Sequence, residues 1–297
     1  MRASNSPLVS VIIRSLGRAS LVSSVESVLA QTHRPVEVVI VHAGGTALPA
    51  LGPFPSLTLR VVDAGPLNRP RAANAGLSSA RGDWLVFLDD DDTFLPGHLE
   101  SLLRKQSEMP DALVAYSATE CIDASGTNVE TLAREFDRLR LFERNYIQIG
   151  AALFSRRVVD EGYRFDEAFE CLQDWDFWIQ LAQRTRFVFT GSATNRWCAF
   201  SGGSGCGRGS NSDPARYVPF RRLLRQKWSA LAADLTRKVR HHESLAELAT
   251  KRGRIDEAER HLAAVRAIVR GAPAKVRVPA VKPRIAHRLP STTAQES

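Results

Sequence analysis

Trp84-Leu85-Val86-Phe87-Leu88-Asp89-Asp90-Asp91-Asp92 decides how the chain folds: five apolar residues run without interruption and end in four carboxylates. A short run with no polar alternation reads as a strand buried on both faces. Such strands belong to parallel sheets covered by helices, and in those sheets ligands gather beyond the carboxyl ends of the strands. Adjacent carboxylates repel one another unless a cation or hydrogen-bond donors sit among them. At a strand end the run therefore reads as a divalent-metal site with Asp89 and Asp91 as ligands. Hard oxygen donors suit Mg2+ or Mn2+, which take one or two carboxylates plus substrate phosphates. The competing reading is an acidic helix N-terminus ahead of Thr93–Pro96, and Asp92 fits that part as a cap.

Working outward, Val9-Ser10-Val11-Ile12-Ile13 is a β-branched run followed by a polar turn from Arg14 to Arg18. Leu21, Val25, Val28 and Leu29 then recur at helical spacing, with a capping box at Ser23-x-x-Glu26 or a start one turn earlier at Ser20. Strands are expected at Val36–Val41 and Leu57–Val62, and a helix from about Arg71 to Ala80. Alternating strands and helices predict an α/β fold with a mostly parallel sheet flanked by helices. Downstream the pattern predicts strands near Ala112–Ala118 and Ala151–Phe154, a turn at 123–126 and a helix from about Asp174 to Gln183. Ser201–Ser212 is Gly/Ser-rich and reads as a loop. From Phe220 to Val269 the pattern is helical and breaks at Gly253, as in one tetratricopeptide-like hairpin, which needs the main domain or a partner to bury its face. Beyond Gly271, prolines among basic and small residues predict a disordered tail. The expected division is a sheet domain over 1–216, a helical region over 217–270 and the tail over 271–297.

Charge sharpens this division. The 297 residues carry a net +8, with 44% apolar and 24% charged residues, the composition of a globular protein. Residues 217–297 account for +11 and residues 1–216 for −3. A chain basic only in its last quarter is not built to coat nucleic acid, and no aromatic-studded strand or known motif suggests otherwise. The basic end suits peripheral contact with an anionic membrane face. Four cysteines lie far apart with no C-x-x-C pair, so neither a zinc ribbon nor a disulfide framework is expected, and reduced cytosol is the default compartment. No window approaches the roughly 18 apolar residues of a membrane span. A cytoplasmic protein, able to sit on the inner face of the membrane, is the expectation.

Gln173-Asp174-Trp175-Asp176-Phe177-Trp178 is a second acidic cluster, framed by indoles. A carboxylate beside aromatics can have its pKa raised, which suits a general base. The alternative is a helix N-cap, with Trp175 and Trp178 packing into the core at i, i+3 spacing.

Six motifs, in this order and spacing, resemble the family 2 glycosyltransferases of the GT-A fold: Val9–Ile13, Ser27-Val28-Leu29-Ala30-Gln31-Thr32, Ala73-Asn74-Ala75-Gly76, Ala80-Arg81-Gly82-Asp83, Phe87–Asp92 with Pro96, and Gln173–Trp178. The resemblance covers about residues 8–200. It implies a Rossmann-like sheet and inverting transfer of a sugar from a nucleotide-diphosphate donor, with a divalent metal on the pyrophosphate. By this resemblance Asp89 and Asp91 form the DxD motif, Asp91 being the direct ligand, Asp90 between them joins the donor contacts, and Asp174 is the general base. It further implies a saccharide or lipid-linked acceptor in cell-surface polysaccharide or glycoconjugate assembly.

The chain also departs from the family pattern. Arg14-Ser15 stands where Pro-Thr is usual, and His42-Ala43-Gly44-Gly45 where Asp-Asp-Gly-Ser is usual, so the donor's base loses a common carboxylate partner at Ala43. Gln173 replaces a Glu while Asp174 keeps the base. Arg14 is placed either to contact the nucleotide or on the surface, and His42 as a hydrogen-bonding pocket residue. Arg69 and Arg71, ahead of the Asn74 helix, are placed to meet the donor's diphosphate or to lie in a solvated turn. The glycines of Ser201–Gly209 suit a phosphate cradle or lid, or mere flexibility. Asn195-Arg196-Trp197 is similar to the QxxRW motif of processive synthases, but Ala193 replaces its Gln, which with the missing membrane helices favours addition of one sugar at a time. A catalytically inactive GT-A-like binding or scaffold subunit is the alternative, favoured by Ala43 and opposed by the acidic clusters.

Overall fold

The computed structural model describes residues 6–52, 54, 57–200, 207–208 and 212–271. The expected loop at 201–212 falls largely outside the described residues, and the expected tail beyond Gly271 wholly so. Strands β1 (Val9–Ser15), β2 (Val36–His42), β3 (Thr58–Asp63) and β4 (Trp84–Asp89) are parallel in the order β3-β2-β1-β4. Helices α1 (Leu21–Leu29) and α2 (Arg69–Ser79) supply crossovers. Every residue of β1 is buried, as its unbroken β-branched run requires. Ile12, Val39, Val41 and Phe87 enter one core, and Val11, Ile13, Val38, Ile40, Val86 and Leu88 the other. The two-residue side-chain period of a strand thus fills both faces of the sheet.

Beyond β4 the sheet becomes mixed. β5 (Thr93–Phe94) and α3 (His98–Ser107) precede β6 (Val114–Ile122), which turns into β7 (Asn128–Leu132). Helix α4 (Arg138–Glu143) follows, then β8 (Ala152–Ser155), which pairs antiparallel with both β4 and β6. After α5 (Arg156–Asp160) and α6 (Gln173–Ala182), β9 (Phe187–Trp197) runs parallel to β6 and antiparallel to β5. Several expectations need correction here. Thr93-Phe94 is a short strand and not the start of a helix, and α3 begins at His98 with no side-chain cap. Asp92 therefore caps nothing. The capping box at Ser23 also fails, since α1 starts after Ser20, which makes no side-chain cap bond.

Gly76 sets how closely α2 lies on the sheet: a Cβ there would fall 2.3 Å from Ile12 Cγ2, well inside contact distance. The chain ends, as described, in α7 (Pro214–Lys251) and α8 (Ile255–Arg270), which break at Gly253 with φ +69°. Helix α7 starts six residues earlier than the pattern predicts, at an Asp213 cap whose Oδ1 accepts from Ala215 N at 2.9 Å. It passes position 217 unbroken. Leu224 lies fully buried in the core that holds α6, with Phe220 and Trp228 packed against that core, so the start of α7 docks on the main domain, whereas Leu248, Ile255 and Leu262 of the hairpin around Gly253 stay exposed. Cys171 is disulfide-bonded, whereas Cys121 is buried and forms no disulfide. Wide spacing in sequence gave no hint of that bond, because the fold and not the spacing brings cysteines together.

Candidate functional site

Register explains the first half of the site. Arg14 on β1 sits directly beside Asp89 on β4 in the parallel ladder, so both side chains leave the same face of the sheet at its carboxyl edge. The Arg14 guanidinium forms an ion pair with Asp89 and lies over the Phe87 ring. Arg14 is 8% exposed and so not a surface residue, and its buried Nε and Nη1 have no hydrogen-bond partner among the described residues. Two arginines, Arg14 and Arg69, hold the Asp89 carboxyl below the usual carboxylate range against the opposing effect of burial.

The remaining carboxylates diverge. Asp90 turns inward, accepting from Ser15 Oγ at 2.7 Å, Leu16 N at 3.3 Å and Arg18 Nη1 at 3.0 Å. It ties down the loop after β1 and is 4% exposed, so it is a bracing residue in place of the expected donor contact. Asp91 pairs with Arg18 at 2.6 Å, and burial together with Asp89 pushes its carboxyl up to about 6. Asp92 is buried and accepts from Gln148 Nε2 and Cys198 N, both at 2.9 Å. Its carboxylate joins β4 to the end of β9 and to the segment before β8.

The second half of the site is the start of α6. Its N-cap is Leu172, in the left-handed region at φ 63° and making no side-chain cap bond. Neither Asp174 nor Asp176 is therefore the cap. A leucine there costs roughly 1–2 kcal/mol, and a backbone outlier of this kind points to a functional site. Asp174 Oδ2 accepts from Asn145 Nδ2 at 2.8 Å, while burial raises its carboxyl above the ordinary value against that bond and one from Trp175 N. Asp176 is sealed from solvent and accepts from Lys227 Nζ and Trp228 Nε1 on α7. Trp175 and Trp178 are core residues whose indoles donate to Leu141 O and Ile147 O.

A cavity of about 210 Å3 connects the two halves, and Asp89, Arg69 and Asp174 all line it. Of the other expected contacts, His42 lies at the carboxyl end of β2, bonded to Thr46 O at 3.0 Å and 3.6 Å from Asp63. Arg71 is not in the cavity; it forms an exposed pair with Glu167 at 3.0 Å. Positions two apart on a helix do not share a face, so the two arginines point differently here. Trp197 also lines the cavity, whereas Arg196 beside it pairs with Glu120 and Asn195 is buried against Thr119 and Gln148. Sequence reasoning missed Arg18, Asn145 and Gln148. Arg18 carried a signal, a basic residue in the loop facing four carboxylates, but Asn145 and Gln148 lie in a segment without periodicity.

Asp89 and Asp91 suit a divalent cation that shares its coordination with a ligand. Their donor atoms are hard oxygens, and both side chains are about one-third exposed, at 33% and 31%. Among the described residues no three His, Cys, Asp or Glu side chains converge as an all-protein metal cage.

The chain is 30% identical over 190 residues to YwdF of Bacillus subtilis, an uncharacterized glycosyltransferase, covering 60% of this chain and 69% of YwdF. It is 30% identical to the succinoglycan biosynthesis protein ExoO of Rhizobium meliloti, over 57% of this chain and 54% of ExoO. The fold is similar to that of S. aureus TarS 1-349, at TM-score 0.53 and 16% identity, covering 73% of this chain and 64% of TarS 1-349. TarS 1-349 in complex with UDP-GlcNAc gives TM-score 0.52 at 17% identity, over 65% of this chain and 59% of that one. The chain thus spans little more than half of ExoO and under two thirds of the TarS fragment. The model of glycosyl transferase family 2 matches residues 10–162, which hold β1 to β4 and the whole carboxylate run, and by that match over half its length the chain belongs to glycosyltransferase family 2.

Proposed function

We propose that the protein transfers a single sugar, with inversion, from a nucleotide-diphosphate donor to a saccharide or lipid-linked acceptor. The observation that carries this reading is the shared cavity lined by Asp89 and Asp174, which lets one ligand space serve a proposed metal ligand and a proposed, half-buried base. Asp89 and Asp91 would hold Mn2+ or Mg2+, which when bound stabilises the charge on the departing diphosphate. Arg69, which lines the cavity with Asp89 and Asp174, binds the diphosphate oxygens; the buried Nε–H and Nη1 of Arg14, which have no hydrogen-bond partner among the described residues, add positive potential behind Asp89. Asp174 takes the proton of the attacking hydroxyl. Asn145 holds one of its oxygens, fixing the carboxylate plane, and burial raises its proton affinity toward that needed in a base. His42, with Asp63 beside it, faces the donor's base in place of the carboxylate missing at Ala43.

The place in cell-surface polysaccharide or glycoconjugate assembly is supported by the similarity to ExoO, a succinoglycan biosynthesis protein, alone. No helix among the described residues is long and apolar enough to cross a membrane, and the basic C-terminal region is the proposed membrane contact. Nucleotide release from a panel of sugar nucleotides with Mn2+ or Mg2+ tests the reading: turnover with at least one donor is expected, and unchanged turnover in Asp91→Ala and Asp174→Asn would overturn the site. A second reading, a binding subunit without transfer, is favoured by the pairing of both Asp89 and Asp91 with arginines. Nucleotide binding with no release from any donor would select it.

A further inference from the structure

A second and larger cavity, about 950 Å3, lies between β7, α4 and α7. It shares Leu132, Asn145, Tyr146 and Arg208 with the cavity that holds Asp174, so the two meet at the very asparagine that orients the proposed base. Five arginines line it, Arg134, Arg144, Arg208, Arg221 and Arg225, against the two carboxylates of Glu130 and Glu143. Arg208 is committed to Glu130 at 2.5 Å and lies over Trp197. The other four are exposed, and among the described residues none has a carboxylate partner. Arg221 and Arg225 stand at i, i+4 on α7 and so share a face. Four exposed arginines lining one concave surface, against Glu143 as the carboxylate not already paired with Arg208, leave an excess of positive charge that an anionic ligand would neutralise.

We propose that this groove is the acceptor subsite and that it takes an anionic saccharide chain, bearing phosphodiester or carboxylate groups, whose attacking hydroxyl reaches Asp174. Guanidinium forks pair bidentately with both anions. The volume lies at the upper end for ligand sites, large enough for several sugar units. Leu139 and Phe142 give the groove an apolar floor against which the C–H faces of sugar rings pack. A single-stranded nucleic acid would need a series of exposed aromatic platforms, and the two aromatics lining the groove are Phe142 and Tyr146, the latter buried with its hydroxyl bonded to Asp137 O. The inference rests on Asp174 being the base, so the test reads the two separately.

Calorimetric titration of the full chain with maltohexaose, hexagalacturonate, a glycerol-phosphate hexamer and hexathymidylate tests the proposal. The two saccharide-class anions are expected to bind roughly tenfold or more tighter than maltohexaose, and the tighter of them identifies the anion. The Arg221→Gln/Arg225→Gln variant loses that preference, while Arg237→Gln/Lys238→Gln, with equal charge removed from another part of α7, keeps it. Equal binding of maltohexaose, tighter binding of hexathymidylate, or an unchanged preference in the Arg221/Arg225 variant would each overturn the proposal. UDP titration of the same protein with Mn2+ reads the donor site: failure there with an intact anion preference removes the transfer reading and leaves the groove's anion binding standing.

Discussion

Asp176 and Lys227 join the helix that carries the proposed base to the helix that walls the arginine groove, with Nζ 2.9 Å from Oδ2 of a carboxylate wholly removed from solvent. Lys227 also reaches Asp166 at 2.7 Å and lies over Phe169 and Trp228. Burial raises the Asp176 carboxyl while Lys227, Trp228 and Gln180 oppose the shift, so the charge is kept only while its partners stay. Removing one member of a buried pair costs about 3–5 kcal/mol, because the other charge stays behind unpaired. Lys227→Met is therefore expected to lower the melting temperature sharply. Asp176→Asn/Lys227→Met should recover part of the loss, a coupling that denaturant melts of the two single variants and the double variant measure. Additive losses would mean that α7 is held by apolar packing alone.

The same pair shows what the sequence disclosed. Gln173–Trp178 was legible as an acidic and aromatic helix start, and the β-branched runs of β1, β2 and β4 were legible because burial on both faces leaves no alternation. The division of labour between Asp174 and Asp176 was hidden, since their partners Asn145 and Lys227 come from distant segments. Asp92 misled for a similar reason. Its carboxylate precedes a proline and an apolar stretch, as a cap does, yet Gln148 and the Cys198 amide claim it and only the tertiary fold brings them there.

Asp174 must be ionised to accept a proton, and burial raises its carboxyl above the ordinary range. Turnover should therefore rise with pH through a midpoint above the usual carboxylate value of about 3.9 and fall as acid protonates the base. Asp174→Asn is expected to lose about 10²- to 10⁴-fold in kcat with donor affinity retained. Asn145→Ala removes the 2.8 Å bond that favours the ionised form, so its acid limb should move to higher pH. A limb that stays in place would take Asn145 out of the mechanism.

Arg18 pairs with Asp91 at 2.6 Å and with Asp90 at 3.0 Å, and a cation competes with it for Asp91. Chelation should abolish turnover and added Mn2+ restore it. Arg18→Gln removes the competitor, so it is expected to bind Mn2+ several-fold tighter in the presence of UDP, a change of about 1 kcal/mol. Asp91→Asn should weaken the same binding. Calorimetry with Mn2+ and UDP together checks both signs, and equal Mn2+ affinity in all three proteins would place the cation away from Asp91.

His98 tests the link between α3 and β9. Its ring is buried, with Nδ1 2.8 Å from Thr194 Oγ1 and Nε2 3.1 Å from Gly150 O, and burial depresses its pKa to about 3. An unfolded histidine titrates near 6.5, so between those values the unfolded chain binds the extra proton. Stability from this group is present above about pH 6.5 and is lost progressively as pH falls toward 3. Each pH unit inside that window costs up to about 1.4 kcal/mol. The buried aspartates Asp90, Asp92 and Asp176 are shifted upward and act in the opposite direction, which masks the histidine in the wild type alone. The difference between wild type and His98→Gln isolates it, because the aspartate contributions are common to both. Melting temperatures measured from pH 7.5 down to 4.5 should therefore fall more steeply with acid in the wild type, and parallel curves would mean that the buried imidazole already carries a proton.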